Sequence, residues 1–400
     1  MRLLHTSDWH LGRSFHGTAL LEEQAAVLER ITAIAADAAV DAVVIAGDLY
    51  DRAIPPADAV RLFDSTVRRL RETGAAVVAI AGNHDSHVRV SVYDGLLGSL
   101  GITIRGDARR CDEPVLVMPR RGGEPVAIYP LPFLDPGLDG PALRPVPEPV
   151  VAPAADPPPA ATRLSHEDVT RLALARIHAD RARRGGRAVL VAHTFVAGGS
   201  PSESERELSV GNVERVSVGA FAGFDYVALG HLHGAQELDG PRLAYSGTPL
   251  PYSFSEEGQR KSVRLVDLAD DGRLRVEVVP LGVGRPLRTI EGPLAALLAD
   301  PALAEAAQAR LRVILTDPSL PLQAMARLRP RFPHIAELRH RPPERPGEGA
   351  VARAERIGPQ LSPLERSLAF FADQQGRAAE EPERRLLREA LEAAGRAEER

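Results

Sequence analysis

Five short apolar runs in this chain each stop at Gly, Asp, Asn or His, and that recurrence limits the fold more than any other feature. Residues 3–6 run into Ser7-Asp8-Trp9-His10, residues 41–46 end at Gly47-Asp48, and residues 75–81 lead to Gly82-Asn83-His84-Asp85. Residues 188–192 stop at His193, and residues 225–229 stop at Gly230-His231-Leu232-His233. Between the first three runs lie two stretches with apolar residues at helical spacing, 21–38 (Leu21, Ala25, Leu28, Ile31, Ile34) and 57–72. Strand alternating with helix predicts an α/β sheet. Open sheets of that kind take their ligands just past the carboxyl ends of the strands.

The later chain continues the pattern with interruptions. Strands are expected at 115–118, 126–131, 242–246, 262–267 and 275–280, and a helix at 165–184. Residues 135–162 carry Pro136, Pro141, Pro145 and six further prolines among many alanines, which predicts an extended, partly disordered surface loop rather than helix or central strand. The motifs resume after it, so it reads as an insertion within one domain, 1–280. The polar stretch 198–212 is expected to be mobile. Residues 281–342 form a small unit reading strand (287–290), helix (293–298), strand (309–316), helix (322–329), strand (335–339). Residues 343–361 are rich in Pro, Gly and Glu and read as a linker. Residues 362–400 read as a charged, amphipathic helical tail with Leu364, Leu368, Phe371, Leu386, Leu387 and Leu391 as its apolar positions.

Composition narrows the chemistry. No stretch approaches the roughly 18 apolar residues of a membrane span, and the first residues carry no apolar signal region, so a cytoplasmic, membrane-free protein is expected. Cys111 is the only cysteine, which leaves Asp, Asn and His to bind any metal. A net charge of −5 and a pI of about 6.2 do not mark a nucleic-acid binder, although metal-binding acids lower the pI until they are loaded. Lysine and arginine total 49, and Lys261 is the one lysine, leaving 48 arginines. An aromatic content of 4% argues against a stacking platform for single strands. There is no Gly-x-x-x-x-Gly-Lys-[Ser/Thr] loop, so ATP hydrolysis must come from elsewhere.

The strand-end residues suit a metal centre. Asp8 and His10 are two apart in extended chain and point the same way, as do His231 and His233. Asp48 ends the second run after Gly47, and a carboxylate can bridge two cations. One histidine at a strand end is usually structural; five polar clusters at five strand ends are a different matter. Carboxylate, amide oxygen and imidazole suit Mn²⁺, Fe²⁺ or Zn²⁺. Around them, Arg13 and His16 are either phosphate contacts or ordinary loop residues. Trp9 is expected to pack in the core, Asp85 to hold the loop of Asn83, and His5, His87, His166 and His178 to have no catalytic role.

The ordered set Asp8-x-His10, Gly47-Asp48-x-x-Asp51-Arg52, Gly82-Asn83-His84-Asp85, His193 and Gly230-His231-x-His233 resembles the calcineurin-like metallophosphoesterase superfamily over about residues 1–280. The opening His5-Thr6-Ser7-Asp8-Trp9-His10-Leu11-Gly12, with Ser362-Pro363-Leu364-Glu365 and Phe370-Phe371, narrows the likeness to the SbcD family, the nuclease subunits of bacterial SbcCD complexes. The resemblance implies a four-layer αββα sandwich with a small α+β capping domain and a helical tail. It implies two divalent metals, usually Mn²⁺: Asp8, His10, Asp48 and His233 at the first, Asp48, Asn83, His193 and His231 at the second. It makes His84 the catalytic histidine, Asp51 the carboxylate that orients it, and Arg52 a phosphate contact. Two cations stabilise the attacking and leaving oxygens of an in-line displacement, and a general acid such as His84 contributes roughly 10²–10⁴-fold.

The same resemblance names partners and substrates. The tail would bind the coiled-coil base of the SbcC ATPase in a heterotetramer with two copies of each chain, hence a homodimer of this one. The substrates would be double-stranded DNA ends, cut as a 3'–5' exonuclease, and hairpins or single strands, cut as an endonuclease. Arg285, Arg288, Arg327, Arg329 and Arg331 of the capping unit either contact phosphates or face solvent. The alternative is a calcineurin-like phosphodiesterase acting on a small nucleotide; the site itself accommodates either, and the 285–400 extension favours DNA. A binding module with a decayed site conflicts with the complete ligand set.

Overall fold

In the computed structural model of the chain, strand Arg2–Thr6 is enclosed by neighbours on both edges and both faces. The structure describes residues 1–92, 94–144, 164–205, 215–343, 361–375 and 377–398. The sheet around Arg2–Thr6 runs, edge to edge, Leu274–Pro280, Ser262–Leu268, Arg2–Thr6, Ala42–Ile45, Ala76–Ile80, Ile102–Arg105. The last four are parallel, and Ser262–Leu268 runs antiparallel to both of its neighbours. A second sheet runs Gln236–Glu237, Leu243–Tyr245, Tyr226–Gly230, Ala188–His193, Val126–Leu131, Val115–Val117, and its central four strands are parallel.

The sheets pack face to face. Leu3, Val44, Ala46, Val78 and Ile80 of the first interdigitate with Ile128, Val189, Val191, Tyr226 and Ala228 of the second. Strand side chains alternate between faces, so Val43, Ile45 and Val77, which are also buried, point the other way. Helices Leu21–Asp37 and Ala57–Glu72 bury Val27, Leu28, Ile31, Phe63, Val67 and Leu70. On the far side of the second sheet, helix His166–Arg184 packs Val169, Ala173, Leu174 and Ile177 against Tyr129, Leu190, Val227 and Leu229. The order helix, sheet, sheet, helix is the four-layer sandwich. Ser165 starts that last helix with a capping box: its hydroxyl accepts from the Asp168 amide at 3.1 Å and the Asp168 carboxylate accepts from the Ser165 amide at 2.9 Å.

One strand is new and two expectations are corrected. Ile102–Arg105 is a strand that no apolar run announces, because Thr103 and Arg105 occupy half of it; Arg105 is buried by an ion pair with Asp94 at 2.7 Å. Within the proline-rich 135–162, Gly140–Leu143 forms a helical turn with Pro141 in its first turn, where the missing N–H has no partner to lose; residues 145–163 lie outside the described residues. Of the polar stretch 198–212, residues 206–212 also lie outside them, but 198–205 is pinned, starting with the Ser200 amide on Gln236 Oε1 at 2.8 Å.

The chain divides into two compact units, Met1–Pro286 and Leu287–Arg400. The second holds a parallel sheet of Leu287–Gly292, Arg310–Leu315 and Ile335–His340 around Ile290, Leu297, Leu311, Val313, Leu328 and Phe332. Residues 344–360, most of the expected linker, lie outside the described residues. The tail is two helices, Pro363–Gln375 and Glu381–Glu398. Ser362-Pro363-Leu364-Glu365 is a capping box with proline at the first helical position: the Ser362 amide donates to Glu365 at 2.9 Å and the Glu365 amide to Ser362 Oγ at 3.3 Å. Among the described residues no helix is long and apolar enough to cross a membrane.

Candidate metal centre

The parallel strands of both sheets end at one edge, and the chain turns sharply there. Asp8 (φ 53), His10 (φ 45), Asp48 (φ 48) and His231 (φ 108) all adopt left-handed backbone. Such residues cost roughly 1–3 kcal/mol each and persist only where surroundings over-determine them, most often at functional sites. The surroundings are explicit. The amides of Asp8, His10 and Leu11 donate to the carbonyls of Gly47, Asp48 and Leu49 at 3.0, 2.9 and 3.1 Å, joining the first two loops. The Asp85 carboxylate accepts from the amides of Leu49, Tyr50 and Gly82 at 3.0, 3.0 and 2.9 Å, joining the second loop to the third. Gln24 Nε2 donates to the His10 carbonyl at 2.8 Å and Tyr252 Oη to the Trp9 carbonyl at 2.6 Å.

Glycines at these turns make room. A Cβ on Gly47 would lie 2.2 Å from His193 Nδ1, on Gly82 2.2 Å from Asp48 Oδ1, and on Gly230 1.7 Å from the Ala46 carbonyl oxygen. Each motif glycine is required by a neighbour brought from another strand.

The seven predicted ligands converge. His193 Nδ1 lies 2.8 Å from the Ala46 carbonyl and donates to it, which leaves Nε2 as a bare lone pair. That Nε2 faces Asn83 Oδ1 at 2.9 Å and Asp48 Oδ2 at 3.6 Å, while His231 Nδ1 approaches Asn83 Oδ1 at 3.2 Å. On the other side His10 Nε2 lies 3.1 Å from His233 Nε2 and 3.5 Å from Asp48 Oδ2. Asp8 is fully buried, its Oδ1 accepting from the His231 amide at 3.0 Å. Asp48 thus faces both clusters.

This donor set fits divalent cations. Lone pairs of Nε2, amide oxygen and carboxylate point at one another across about 3 Å, which only protons or cations between them can reconcile. Asp8 Oδ2, His10 Nδ1 and Asn83 Nδ2 are buried with no hydrogen-bond partner. Burial first, and the Asp48 charge second, raise the Asp8 carboxyl well above the ordinary range. Burial also lowers His10, His193 and His231, so these imidazoles stay neutral; neighbouring imidazoles add to the effect at His10 and His231. Neutral imidazoles and crowded buried carboxylates are what bound metal requires.

His84 lies beside both clusters. Its amide donates to Asp48 Oδ1 at 2.9 Å and its ring packs edge-on to His10 with centroids 4.7 Å apart. The orienting contact to its Nδ1 comes from the Asp51 main-chain carbonyl at 2.8 Å, not from the carboxylate that the resemblance assigned. The Asp51 carboxylate turns instead toward Arg13, 3.5 Å away, and Arg52, 3.8 Å away. Arg52 is 65% exposed in its side chain at the site's rim, whereas Arg13 is built into the wall: it donates to the Ser204 carbonyl at 3.1 Å and stacks 5.0 Å from the Tyr252 ring. His5 is a core residue between Tyr226 Oη (2.8 Å) and the Leu229 carbonyl (3.1 Å), burial and then Arg264 pushing it down to about 3. Trp9 is fully buried. Cys111 is buried, and burial pushes its thiol up to about 11.

Sequence reasoning missed Gln24, Ser204, Glu205, Tyr252, Glu256 and Lys261. Glu205 Oε1 accepts from the His233 amide at 2.7 Å, so the polar stretch supplies part of the site. Only Lys261 carried a signal, as the sole lysine.

Residues 1–140 match the family described as calcineurin-like phosphoesterase, and residues 283–375 the one described as type 5 capsule protein repressor C-terminal domain. Fold and site define a metallophosphoesterase that binds divalent metal. The chain is 35% identical to the SbcD subunit of the SbcCD nuclease of Bacillus subtilis (strain 168), over 72% of this chain and 71% of that one. It is 31% identical to its counterpart in Escherichia coli (strain K12), over 75% and 73% of the two chains. For the counterpart in Staphylococcus saprophyticus the identity is 33%, over 73% and 72%. The chain belongs to the SbcD family of nuclease subunits, and is a metal-dependent phosphodiesterase.

Proposed function

We propose that this chain is the Mn²⁺-dependent DNA nuclease of an SbcCD-type complex, acting in the cytoplasm in DNA repair and recombination. It cuts double-stranded ends as a 3'–5' exonuclease and hairpins or single strands as an endonuclease. The observation that carries the reading is the convergence of buried carboxylate, amide and imidazole donors on two points joined by Asp48. Asp8, His10, Asp48 and His233 would hold one cation, and Asp48, Asn83, His193 and His231 the other. Two such cations supply the positive charge that favours attack by water on a phosphodiester in line with its leaving oxygen.

The chain's own residues do the rest. His84, held by Asp51 through Nδ1, presents Nε2 beside the metal ligands, where its imidazolium form donates a proton to the leaving sugar oxygen. Arg13 and Arg52 place positive charge at the mouth, suited to a phosphate backbone. The second unit supports a macromolecular substrate and an ATPase partner. In its tail Phe370 and Leu386 are 56% and 62% exposed, apolar side chains left for a partner's groove. SbcC is the partner proposed, in a complex with two copies of each chain.

A homodimer is supported by an apolar groove of about 500 Å³ bounded by Ile54, Val60, Phe63, Val90, Leu97 and Leu100. Within the groove's lining, Ile54 and Leu100 are 69% and 60% exposed. A patch of that kind on a soluble domain marks an interface, here with a second copy.

The test is Mn²⁺-dependent cleavage of DNA ends and hairpins, with and without SbcC and ATP, beside a small chromogenic phosphodiester. DNA cleavage enhanced by SbcC and ATP is expected; cleavage of the small ester alone would replace the DNA reading. Truncation at residue 360 should abolish SbcC binding, and undiminished binding would remove the tail assignment.

A further inference from the structure

Lys261 is the one lysine in a chain that otherwise uses arginine for every basic position. It lies beneath the metal centre, its side chain only 9% exposed. Nζ donates to the His233 carbonyl at 3.0 Å, to Thr248 Oγ1 at 2.8 Å and to Gln259 Oε1 at 2.9 Å, and it is ion-paired with Glu256. Three protons among four acceptors clustered about one point suit a compact ammonium; a planar guanidinium fork cannot reach all of them.

Glu256 carries the network onward. It is 1% exposed. Its Oε2 takes the Lys261 ammonium and also accepts from the Tyr252 amide at 3.3 Å, and its Oε1 accepts from Ser204 Oγ. Ser204 Oγ in turn meets His233 Nδ1. The bonds close a ring: His233 Nδ1–H to Ser204, Ser204 O–H to Glu256, Lys261 to Glu256, and Lys261 to the His233 carbonyl. Both the imidazole and the main chain of His233 are fixed, and its Nε2 lone pair is left facing His10 Nε2 at 3.1 Å.

The other three imidazoles have no hydrogen-bonded relay of this kind: the nearest carboxylates, Asp51 Oδ1 behind His10 Nδ1 and Asp8 Oδ1 behind His193 Nδ1, each stand 3.9 Å away. His193 Nδ1 rests on a neutral backbone carbonyl, His231 Nδ1 faces the amide oxygen of Asn83, and His10 Nδ1 has no hydrogen-bond partner. A carboxylate behind a ligating histidine fixes its tautomer and raises its basicity, and losing such a partner typically weakens metal binding about 10–100-fold.

We propose that Ser204, Glu256 and Lys261 are positioning residues that act through His233 on one cation alone, making the two metal positions unequal in affinity. This rests on the two-metal reading given above. Lys261 neutralises Glu256, so that the buried carboxylate supports His233 without carrying an uncompensated charge.

The test uses the full-length chain stripped of metal and titrated with Mn²⁺, bound and free ion being followed by calorimetry and electron paramagnetic resonance. The natural chain should bind two ions. Glu256→Gln, which keeps the shape of the side chain, and Ser204→Ala, in a loop, should each bind one ion as before and the other about 10–100-fold more weakly. Ser204→Thr keeps the hydroxyl and should restore the pair. A role confined to holding the fold would lower the melting temperature of the metal-free protein without separating the two ions. Two unchanged ions in Ser204→Ala and Glu256→Gln, or two ions weakened alike, would overturn the positioning role. A single ion in the natural chain would instead overturn the two-metal reading beneath it.

Discussion

His193 and His233 turn their imidazoles into the same buried cluster from opposite sides, yet they are held in different ways. His193 is the last residue of a central strand, and its ring rests on the Ala46 carbonyl in a space that Gly47 and Gly230 leave open. Backbone from the middle of both sheets fixes it. His233 lies past the end of its strand and is fixed by side chains from two distant loops, Ser204 and Glu256, with Lys261 behind them. The first arrangement is as rigid as the sandwich; the second depends on loop side chains and their charges. Catalytic centres combine both kinds, because strands give precision and loops give chemistry that can be adjusted.

Asp48 stands between the two ends, so its removal should have the largest effect. Asp48→Ala removes the carboxylate that faces both clusters, and calorimetry with Mn²⁺ should find both ions weakened and turnover lost with them. An Asp48→Ala protein that keeps one ion at full affinity would break the view that this carboxylate is shared. Next in size is the backbone-built end. Gly230→Ala places a methyl 1.7 Å from the Ala46 carbonyl, which forces main chain to move and should cost roughly 3 kcal/mol or more in denaturant unfolding. Unchanged stability would show that the His193 end is softer than its packing implies.

The most gradual effect expected is on pH. His5, a core neighbour of the second sheet, is held neutral down to about pH 3 by burial, against about 6.5 when unfolded. Below 6.5 the unfolded chain therefore binds the extra proton and the folded chain does not. The stability of the metal-free protein should fall as pH drops from about 6.5 toward 3. His10, His193 and His231, lowered in the same direction, add to this slope. Denaturation midpoints that stay level between pH 7 and 5 would contradict it.

The backbone-built half of the centre was legible in the sequence because it follows strand periodicity. Apolar runs located the strands, and the polar residues closing each run included a member of the buried cluster, from Asp8 to His231. The glycines next to them were legible as turns, though not as the space for His193. What the sequence did not show are contacts between segments far apart in the chain. Gln24 holds the His10 carbonyl from 14 residues away and Tyr252 the Trp9 carbonyl from 243 residues away, and no local pattern marks either. Ser204 and Glu205 fall in a polar stretch whose composition resembles any loop. Ile102–Arg105 escaped because a strand buried through an Arg–Asp ion pair has no apolar signature. The role given to the Asp51 carboxylate failed for a similar reason: Arg13 draws that carboxylate away, and the carbonyl of the same residue meets His84.

The central claim is that metal ligands and proton donor are separate groups, and His84 is where it is most directly tested. His84→Gln should bind two Mn²⁺ ions with the affinity of the natural chain while DNA cleavage falls roughly 10²–10⁴-fold. Loss of an ion in His84→Gln, or cleavage at the natural rate with both ions bound, would contradict the account.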